Sequence, residues 1–528
     1  MKDELKYLSQ MAAIGKLSRR SFMGRAGALG LSTAAAGTLL SSAVMAQGAQ
    51  KGGTIRVGIS GGSSTDSLDP ATAANSTATQ ISRLWGEPLV ELAADGSLEP
   101  KVATEWGSSA DAKTWTFKIR DGLTFSNGKS ATAEDVLATF ERHAGEDSQS
   151  GALGLLSDIA SLSVDGDTFV IALNTGNADL PYLMTDYHLL IQPNGGKDDP
   201  AAAIGTGPYI IKSHEAGVRT VAEKNPNHWD SDLGNAETIE IVVINDDTAR
   251  VAALQSGQVD MVHRVPPKVA SLVGRAANLT VESVPSAGHY VFVMHSNTAP
   301  FDNMDLRMAL KYGINRQEMV DRILFGNGSV GNDTPINAAY PLFSDDIPQR
   351  EYDPDKAAFH LKESGFDGSI LLRTSDNSFP GAPDAAQLFQ QSAGAAGINM
   401  EIKREPNDGY WSEVWNVQPF CTSYWGGRPI QDQMLSTAYL STSDWNDTRF
   451  FNEQFDQLLV AARGELDEAK RKSMYRDLSV ILNEEGGLIC PMFNNFIDAM
   501  SDNVAGWGPS KGFELMNFYA PMKMWVTA

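Results

Sequence analysis

The chain has 528 residues, of which 42% are hydrophobic and 20% are charged, and its formal net charge is −23. This length exceeds what one hydrophobic core holds and predicts two or three domains. The negative charge disfavours nucleic acid or an anionic lipid surface as a partner, because both are themselves negative. Beyond the first fifty residues no stretch offers about 18 unbroken apolar residues, so we expect no membrane span there.

The first residues have the pattern of an export signal. Ser18-Arg19-Arg20-Ser21-Phe22 precedes a mildly apolar run at 26–44. Small residues around Ala46 predict cleavage there, so residues 1–46 are predicted to be a signal peptide. The paired arginines followed by Phe resemble a signal of the twin-arginine export route, and an ordinary secretory signal is the alternative. The cut has no cysteine beside it, which excludes a lipid anchor at that site.

Removal of residues 1–46 leaves 36 basic and 63 acidic side chains, a net charge of −27. We therefore expect a strongly acidic protein that is free in the periplasm and binds no nucleic acid. Cys421 and Cys490 are the only cysteines. They allow one disulfide in an oxidising compartment, and two buried thiols are the alternative.

The predicted elements alternate irregularly between strands and helices. Period-two hydrophobic patterns predict strands at 53–59, 114–120, 123–125, 168–173, 239–244, 290–295, 370–374 and 400–403. Helical patterns with capping residues predict helices at 132–140, 247–256, 304–312, 316–325 and 354–364, and two more on either side of Gly464 within 453–484. This order indicates a mixed α/β fold without an internal repeat.

Enzyme motifs are weak in this sequence. The stretch Gly58-Ile-Ser60-Gly-Gly62 fits the G-x-S-x-G pattern of a serine nucleophile, but that motif needs a helix directly after the serine. Turn-forming residues follow instead. The eight histidines include no close pair at metal-ligand spacing, and no phosphate-binding Gly-Lys-Ser/Thr loop is present. We therefore expect a binding protein without cofactor or metal rather than an enzyme.

Short strings in a fixed order carry a family resemblance. They are SLDP at 67–70, ATEW at 103–106, DAKTWTFKIRDG at 111–122, FSNG at 125–128, TAEDV at 132–136, GTGPY at 205–209, NPNHW at 225–229, ALQSGQVD at 253–260, PFD at 300–302, LRMAL at 306–310 and LKESG at 361–365. Together they resemble the family 5 extracytoplasmic solute-binding proteins of ABC importers, which bind dipeptides, oligopeptides or nickel. The resemblance covers about residues 51–525.

This resemblance implies a two-lobed, periplasmic-binding-protein-like clamp of three domains that closes on a solute. Domain I is expected at 47–92, 203–290 and 498–528, domain II at 93–202 and domain III at 291–497. A monomer would capture a peptide or peptide-like solute and deliver it to an inner-membrane permease driven by a cytoplasmic ATPase. A metal chelate, a haem-like group or an oligosaccharide is the alternative cargo, and a secreted hydrolase is a third reading.

The resemblance also points to one strand end as the solute site. In peptide-binding members, a domain III tryptophan is followed three residues later by an aspartate that holds the peptide's amino group. Trp425 matches that tryptophan, but the residue three positions on is Arg428, which reverses the charge. Because a buried arginine needs an anionic partner, we expect Arg428 to hold a carboxylate of the solute. Pairing with Asp432 or another protein carboxylate is the alternative.

Further candidate binding residues surround this strand or come from domain I. The aromatic residues at 410–415 fall where peptide binders place a cleft tryptophan, and core packing is the alternative. The glycine pair lets the backbone approach a ligand, and a tight turn is the alternative. A Ser/Thr/Asp loop resembles the segment that lines the cleft from domain I, and plain turn formation is the alternative. These candidates are Tyr424, Gly426, Gly427, Asp432, Tyr410, Trp411, Trp415, Ser64, Thr65 and Asp66.

Overall fold

The computed structural model describes residues 2–13, 17, 19–29, 48–376, 378–406, 410–510 and 512–527. The predicted cleavage site after Ala46 and most of the apolar run before it lie outside these residues, so the signal peptide stays a prediction. Two helices of that segment are described, α1 (Lys2–Ala13) and α2 (Arg19–Ala28). None of the described helices combines the length and the apolar character that a bilayer crossing needs.

The remaining described helices are distributed over the whole chain. They are α3 (Ser76–Trp85), α4 (Ala133–Ala144), α5 (Leu180–Leu183), α6 (Asp247–Gln255), α7 (Pro267–Val273), α8 (Met304–Tyr312), α9 (Arg316–Arg322), α10 (Pro354–Ser364), α11 (Ala382–Gly394), α12 (Gln431–Ala438), α13 (Glu453–Gly464), α14 (Glu468–Glu485), α15 (Glu514–Asn517) and α16 (Ala520–Lys523). Shorter 3-10 turns lie at Pro70–Thr72, Leu153–Leu156 and Pro193–Gly196, and a π-turn lies at Tyr410–Val414.

The described strands are equally dispersed. They are β1 (Thr54–Ile59), β2 (Val90–Leu92), β3 (Leu98–Pro100), β4 (Ala103–Ser108), β5 (Thr114–Ile119), β6 (Ile159–Asp165), β7 (Thr168–Leu173), β8 (Tyr209–Glu215), β9 (Arg219–Lys224), β10 (Thr238–Val243), β11 (Met261–Val262), β12 (Leu279–Met294), β13 (Gly328–Val330), β14 (Ile370–Thr374), β15 (Met400–Arg404), β16 (Phe420–Trp425), β17 (Leu488–Ser501), β18 (Val504–Ala505) and β19 (Trp525–Val526).

One mixed sheet extends through the molecule in the order β15-β14-β16-β12-β17-β11-β1-β10-β9-β8, and β13 also pairs with β17. A separate antiparallel sheet has the order β4-β5-β7-β6. Several hydrophobic cores form around these sheets. Three are built from elements β1–β11 with α3–α7 and the chain end, which we call the first lobe. Two are built from β13–β16 with α8–α14, which we call the second lobe.

The long antiparallel strands β12 and β17 belong to both lobes. Their outer halves pair with each other and with β11 on the first-lobe side, and their other halves pair with β16 and β13 on the second-lobe side. Between the halves, the register shifts between Pro285 and His289. Such an irregularity loosens the ladder locally and marks where the lobes join.

The lobes also touch directly away from this join. Ile430 of the second lobe is 2% exposed because it packs into the core formed around β4–β7 of the first lobe. Asp179 of the first lobe pairs with Arg471 at 3.0 Å and accepts a hydrogen bond from the Tyr475 hydroxyl at 3.3 Å. The structure therefore holds the two lobes against each other.

Most predicted elements are present, with a few differences in extent. Helix α4 begins after Thr132 in a capping box with Asp135, as the TAED string predicts. The stretch 123–125 is not a strand but contributes one bridge between Thr124 and Ser130. Strand β12 begins at Leu279, well before the predicted start at 290. The prediction missed the first half of the strand because that half has no clean alternation of buried and exposed residues.

Both cysteines are free thiols in the structure. Cys421 of β16 and Cys490 of β17 are fully buried. Of the two alternatives left open by the sequence, buried thiols are the one that the structure has.

Candidate functional site

Two cavities lie where the lobes face each other: the end of β16 lines the first, and the segment that follows this strand lines the second. The Tyr424 cavity has a volume of about 390 Å³ and takes Tyr290, Tyr424, Trp425 and Gly426 from the second lobe and its join. From the first lobe it takes Ser60, Arg264 and Glu514. The Arg428 cavity has a volume of about 490 Å³ and is lined by Arg428, Gln433, Thr437 and Trp445 on one side and by Arg83, Tyr182, Asp186, Tyr187 and His188 on the other.

The alternation of strand β16 sorts its two terminal aromatics. Tyr424 and Trp425 lie opposite Tyr290 and His289 of β12 in the antiparallel ladder. Tyr424 is 49% exposed and faces the cavity that bears its name, whereas Trp425 is 4% exposed and packs at the cavity wall. Of the two, Tyr424 therefore offers the larger free surface to a solute.

The two glycines after Trp425 have different roles. Gly427 has φ +75°, and a Cβ placed there would lie 2.7 Å from the Cβ of Ala287. Gly427 is therefore needed for a tight turn that brings it close to the protein's own Ala287. A Cβ at Gly426 would meet no atom within 4 Å, and Gly426 lines the Tyr424 cavity. Only Gly426 is thus placed where its missing side chain leaves room for a ligand.

Arg428 is a half-buried cation without an ion-pair partner among the described residues. Its Nη1 donates to the carbonyl of Gly427 at 2.7 Å, and its Cζ lies 5.9 Å from the Trp425 ring centre. Burial lowers the pKa of the guanidinium, against the opposing influence of Tyr340, Tyr187 and Asp186. An arginine remains protonated under such a shift, so the cavity wall carries an uncompensated positive charge.

Asp432 is not the partner of Arg428. Both oxygens of its carboxylate accept from Nε of Arg463 at 3.1 Å, and Ser436 donates to the same group at 3.2 Å. The alternative prediction that Arg428 pairs with Asp432 was therefore wrong. The prediction of Asp432 as a solute ligand has no support from this geometry, since both of its oxygens already accept hydrogen bonds within the second lobe.

The aromatic residues around the end of β16 form a connected cluster. Tyr410 is buried and its hydroxyl donates to the carbonyl of Thr422 at 2.7 Å, which makes it a core residue. The rings of Trp411 and Tyr424 lie 5.6 Å apart, and those of Trp415 and Trp425 lie 6.3 Å apart. Tyr410 therefore belongs to the core, whereas Trp411 exposes ring surface, and contact of these residues with a ligand stays a prediction.

One member of this cluster was missed. Trp445 is 51% exposed, lines the Arg428 cavity and lies 5.9 Å from Trp415 and 6.0 Å from Trp425 between ring centres. It lies in a turn rather than in a patterned strand or helix, so no sequence periodicity marked it. Its exposure makes it a better ligand-contact candidate than Trp415.

The loop expected to line the cleft from the first lobe is a self-bonded turn. Asp66 accepts from the backbone N–H of Ser63 at 2.8 Å and from Asn75 at 2.7 Å. Thr65 shares a hydrogen bond of 3.0 Å with the Ser63 hydroxyl, and Ser64 is exposed. The alternative of turn formation thus accounts for the polar side chains of Asp66 and Thr65.

Ser60, from the weak serine motif, lies in an unexpected row of polar groups. Its Oγ is 3.1 Å from Nε2 of His263, whose Nδ1 is 3.3 Å from the carboxylate of Glu514. However, the backbone N–H of Ser60 already donates to the same Nε2 at 2.9 Å. The single lone pair of that nitrogen is therefore shared, which weakens it as a general base.

Glu514 is the buried hub of this row. It accepts from Arg264 at 2.9 Å and from Ser76 at 3.0 Å. Burial opposes its ionisation, but Arg264 and His263 outweigh that effect and keep its pKa well below the ordinary range. Arg264 is thereby neutralised, unlike Arg428. Among the described residues no group of three or more His, Cys, Asp or Glu side chains is arranged to hold a metal ion.

The chain resembles solved structures of solute-binding proteins over nearly its full length. DppA of Helicobacter pylori, determined with the peptide STSA, superposes with a TM-score of 0.76 at 19% identity and covers 92% of this chain and all of its own. AgaA of Agrobacterium tumefaciens R10, determined with agropinic acid, gives a TM-score of 0.75 at 22% identity and covers 90% and 99% of the two chains. The fold is thus that of a two-lobed periplasmic binding protein.

The sequence comparisons give the family. The model of the bacterial extracellular solute-binding proteins, family 5 middle, matches residues 97–447. The glutathione-binding protein GsiB of Salmonella typhi is 27% identical over 476 residues, which cover 86% of this chain and 92% of GsiB. The chain therefore belongs to the family 5 solute-binding proteins, as the ordered strings of its sequence predicted.

Proposed function

We propose that this protein is the periplasmic substrate-binding component of an ABC importer and captures a peptide or peptide-like solute whose carboxylate binds Arg428. The observation that carries this proposal is the unpaired guanidinium at the wall of an interlobe cavity. A half-buried arginine without a partner is costly, and a ligand carboxylate supplies the matching planar acceptor. The importer role itself follows from membership of the family.

The relatives support the class of solute. GsiB is named a glutathione-binding protein, AgaA was determined with agropinic acid and DppA with a peptide. These ligands all carry carboxylates. In this proposal the protein is a monomer without catalytic activity, is exported by the twin-arginine or the general secretory route, and delivers its solute to an inner-membrane permease with a cytoplasmic ATPase.

Native mass spectrometry of the mature protein, purified without refolding, is the first test. A retained acidic solute of a few hundred daltons would support the proposal, and calorimetric titration with peptides, amino-acid conjugates, nickel–histidine and oligosaccharides would rank the solute classes. Tight binding of a neutral sugar, with no peptide-like acid bound, would overturn it in favour of the oligosaccharide alternative.

A secreted hydrolase is the second candidate, and the row from Ser60 through His263 to Glu514 is the observation that favours it. Its chemistry requires Ser60 to attack a carbonyl while His263 takes the hydroxyl proton. Incubation with ester and peptide substrates tests it directly. Turnover by the wild-type protein that disappears in Ser60→Ala would establish the hydrolase. If the wild-type protein turns over no substrate of the panel, the row is a structural chain of hydrogen bonds.

A further inference from the structure

The Arg428 cavity contains a second arginine that is as unpaired as Arg428. Arg83 of α3 is 5% exposed and lines the cavity from the first lobe. Its Nη2 donates to the carbonyl of Thr185 at 2.7 Å and its Nη1 to the hydroxyl of Tyr519 at 3.3 Å. Its Nε has no hydrogen-bond partner among the described residues. All of its described partners are neutral oxygens, so its charge is not cancelled by direct contact.

The acid of this cavity is neutralised by its neighbour. Among the described lining residues, Asp186 is the carboxylate, and Nδ1 of His188 lies 2.6 Å from its Oδ1. The other ring nitrogen, Nε2, lies 2.8 Å from the carbonyl of Ala73 and must donate to it, because a carbonyl only accepts. The short contact to Asp186 therefore needs a proton of its own. Burial disfavours the Asp186 carboxylate, but the hydrogen bond and the charge of His188 lower its pKa, so the proton is on the imidazole and the pair has no net charge.

Other nearby acids are likewise occupied. Glu91 pairs with Lys101 at 3.1 Å, and Glu87 accepts from Trp229 at 2.9 Å and contacts His228 at 3.1 Å. The described wall of the Arg428 cavity thus presents two guanidinium groups and no free carboxylate. Two like charges in one enclosed space repel each other, and a solute that brings two negative charges relieves both.

We infer that the solute carries two carboxylates, one bound by Arg428 and the other by Arg83, so that Arg83 determines specificity for a diacid. This inference rests on the proposed function and names the substrate class within it. A cavity of about 490 Å³ has room for a dicarboxylic end group together with part of the remaining solute. The two arginines come from opposite lobes, so a diacid bound in this way also bridges the clamp.

Calorimetry with matched pairs of solutes tests the inference. Each pair contains a diacid and its monoamide: Ala-Asp with Ala-Asn, Ala-Glu with Ala-Gln, and glutathione with its glycine amide. We expect at least one diacid to bind the wild-type protein about tenfold or more tightly than its monoamide. In Arg83→Gln, which loses the charge but can still donate to Thr185, this preference should fall below about threefold.

A second variant tests the same cavity without replacing the buried Arg83, in case Arg83→Gln does not fold. Gln433 lies at the half-buried surface of α12 and lines the same cavity, so Gln433→Glu adds a negative charge without disturbing a core. It should weaken diacid binding by about tenfold and monoamide binding less. The thermal unfolding midpoint of each variant shows whether it is folded.

The outcomes separate the two proposals. If a monoamide binds as tightly as its diacid and Arg428→Ala abolishes that binding, the proposed function stands and the role of Arg83 is refuted. Retention of the diacid preference in Arg83→Gln refutes it too. If no member of the panel binds, the proposed function itself fails and the inference with it.

Discussion

Asp432 accepts hydrogen bonds from Nε of Arg463 through both carboxylate oxygens, although Arg428 is only four residues away in the chain. Helix α12 begins at Gln431 and places Asp432 against α13, whereas Arg428 precedes that helix and reaches the interlobe cavity. The second lobe thus satisfies its own acid internally, and among the described residues Arg428 keeps no ion-pair partner.

Removal of the Arg428 side chain should weaken the bound acid strongly. Truncating one member of a buried charged pair typically costs 2–5 kcal/mol, so we expect Arg428→Ala to reduce affinity by about that amount. Arg428→Lys keeps the charge but loses the planar arrangement of donors, so its affinity for the solute should lie between that of the wild type and that of Arg428→Ala. Calorimetric titration of the native solute measures both, and an unchanged dissociation constant for Arg428→Ala would remove this residue from the site.

Loss of the Asp432 carboxylate should act on stability instead. Breaking a mostly buried ion pair leaves Arg463 without its partner, so Asp432→Ala should lower the free energy of unfolding by about 3 kcal/mol. Glu318→Ala, which breaks the exposed pair with Arg322 in the same lobe, should cost no more than about 1 kcal/mol. Urea denaturation measures both values. Solute affinity of folded Asp432→Ala should stay within about threefold of the wild type, and a larger loss would return Asp432 to the binding site.

The exposed tryptophan of the cluster should contribute to affinity. Trp445→Ala removes half-exposed ring surface from the Arg428 cavity, and we expect it to weaken solute binding by more than about 1 kcal/mol with a small effect on stability. Tyr410→Phe is the matched control, because it removes a buried hydroxyl that donates to Thr422. The control should lose about 1 kcal/mol of stability and keep its affinity. The reverse pattern would place the solute on the other side of the cluster.

The buried carboxyl of Asp447, which lies beside Trp415, should make the free energy of unfolding fall as pH rises. Burial raises the pKa of the Asp447 carboxyl from 3.8 to about 7, against hydrogen bonding from Trp415. The folded protein therefore holds this proton more tightly than the unfolded chain does. The stabilising contribution is complete below about pH 4 and is lost as pH rises through 7.

Asp447→Asn keeps the shape of the neutral acid and should remove this loss. At pH 8 the variant should exceed the wild type in free energy of unfolding by up to roughly 4 kcal/mol, and at pH 4 the two should agree. Asp444→Asn, at an exposed position three residues earlier, is the control and should follow the wild type. Urea titrations followed by tryptophan fluorescence between pH 4 and 8 give the curves, and parallel curves for Asp447→Asn and wild type would contradict the prediction.

The thiols should behave as inert core groups. Cys421 and Cys490 are fully buried, and burial raises the pKa of both thiols. We expect an alkylating reagent to leave the folded protein unmodified and to add two groups in denaturant without any reductant. Mass spectrometry reads this out, and a protein that needs a reductant before it is alkylated would contain a disulfide instead.

The sequence predicted the fold more fully than the site, for physical reasons. Thr132 and Asp135 form a capping box from adjacent residues, so the start of α4 was visible in a local pattern. Helices α8 and α10 were likewise predicted at their observed bounds. The family strings predicted the two-lobed architecture by similarity, which local patterns alone do not supply.

The site required tertiary information. Arg83 and Arg428 are 345 positions apart and meet only because the lobes face each other around one cavity. Gly427 is explained by Ala287, which opposes it from β12, and not by a ligand. The sequence supplied Arg428 through its departure from the family pattern, but nothing near Arg83 or Trp445 marked either as a cavity residue.

The contact of Ile430 with the first-lobe core stabilises the closed arrangement of the two lobes. Opening the lobes withdraws this side chain from the first-lobe core into water, which costs about 2 kcal/mol. That energy multiplies the ratio of closed to open molecules by roughly thirtyfold, whatever the other contributions to that ratio are. Any interaction that separates the lobes has to overcome this contribution of Ile430 in addition to the contacts that a solute makes.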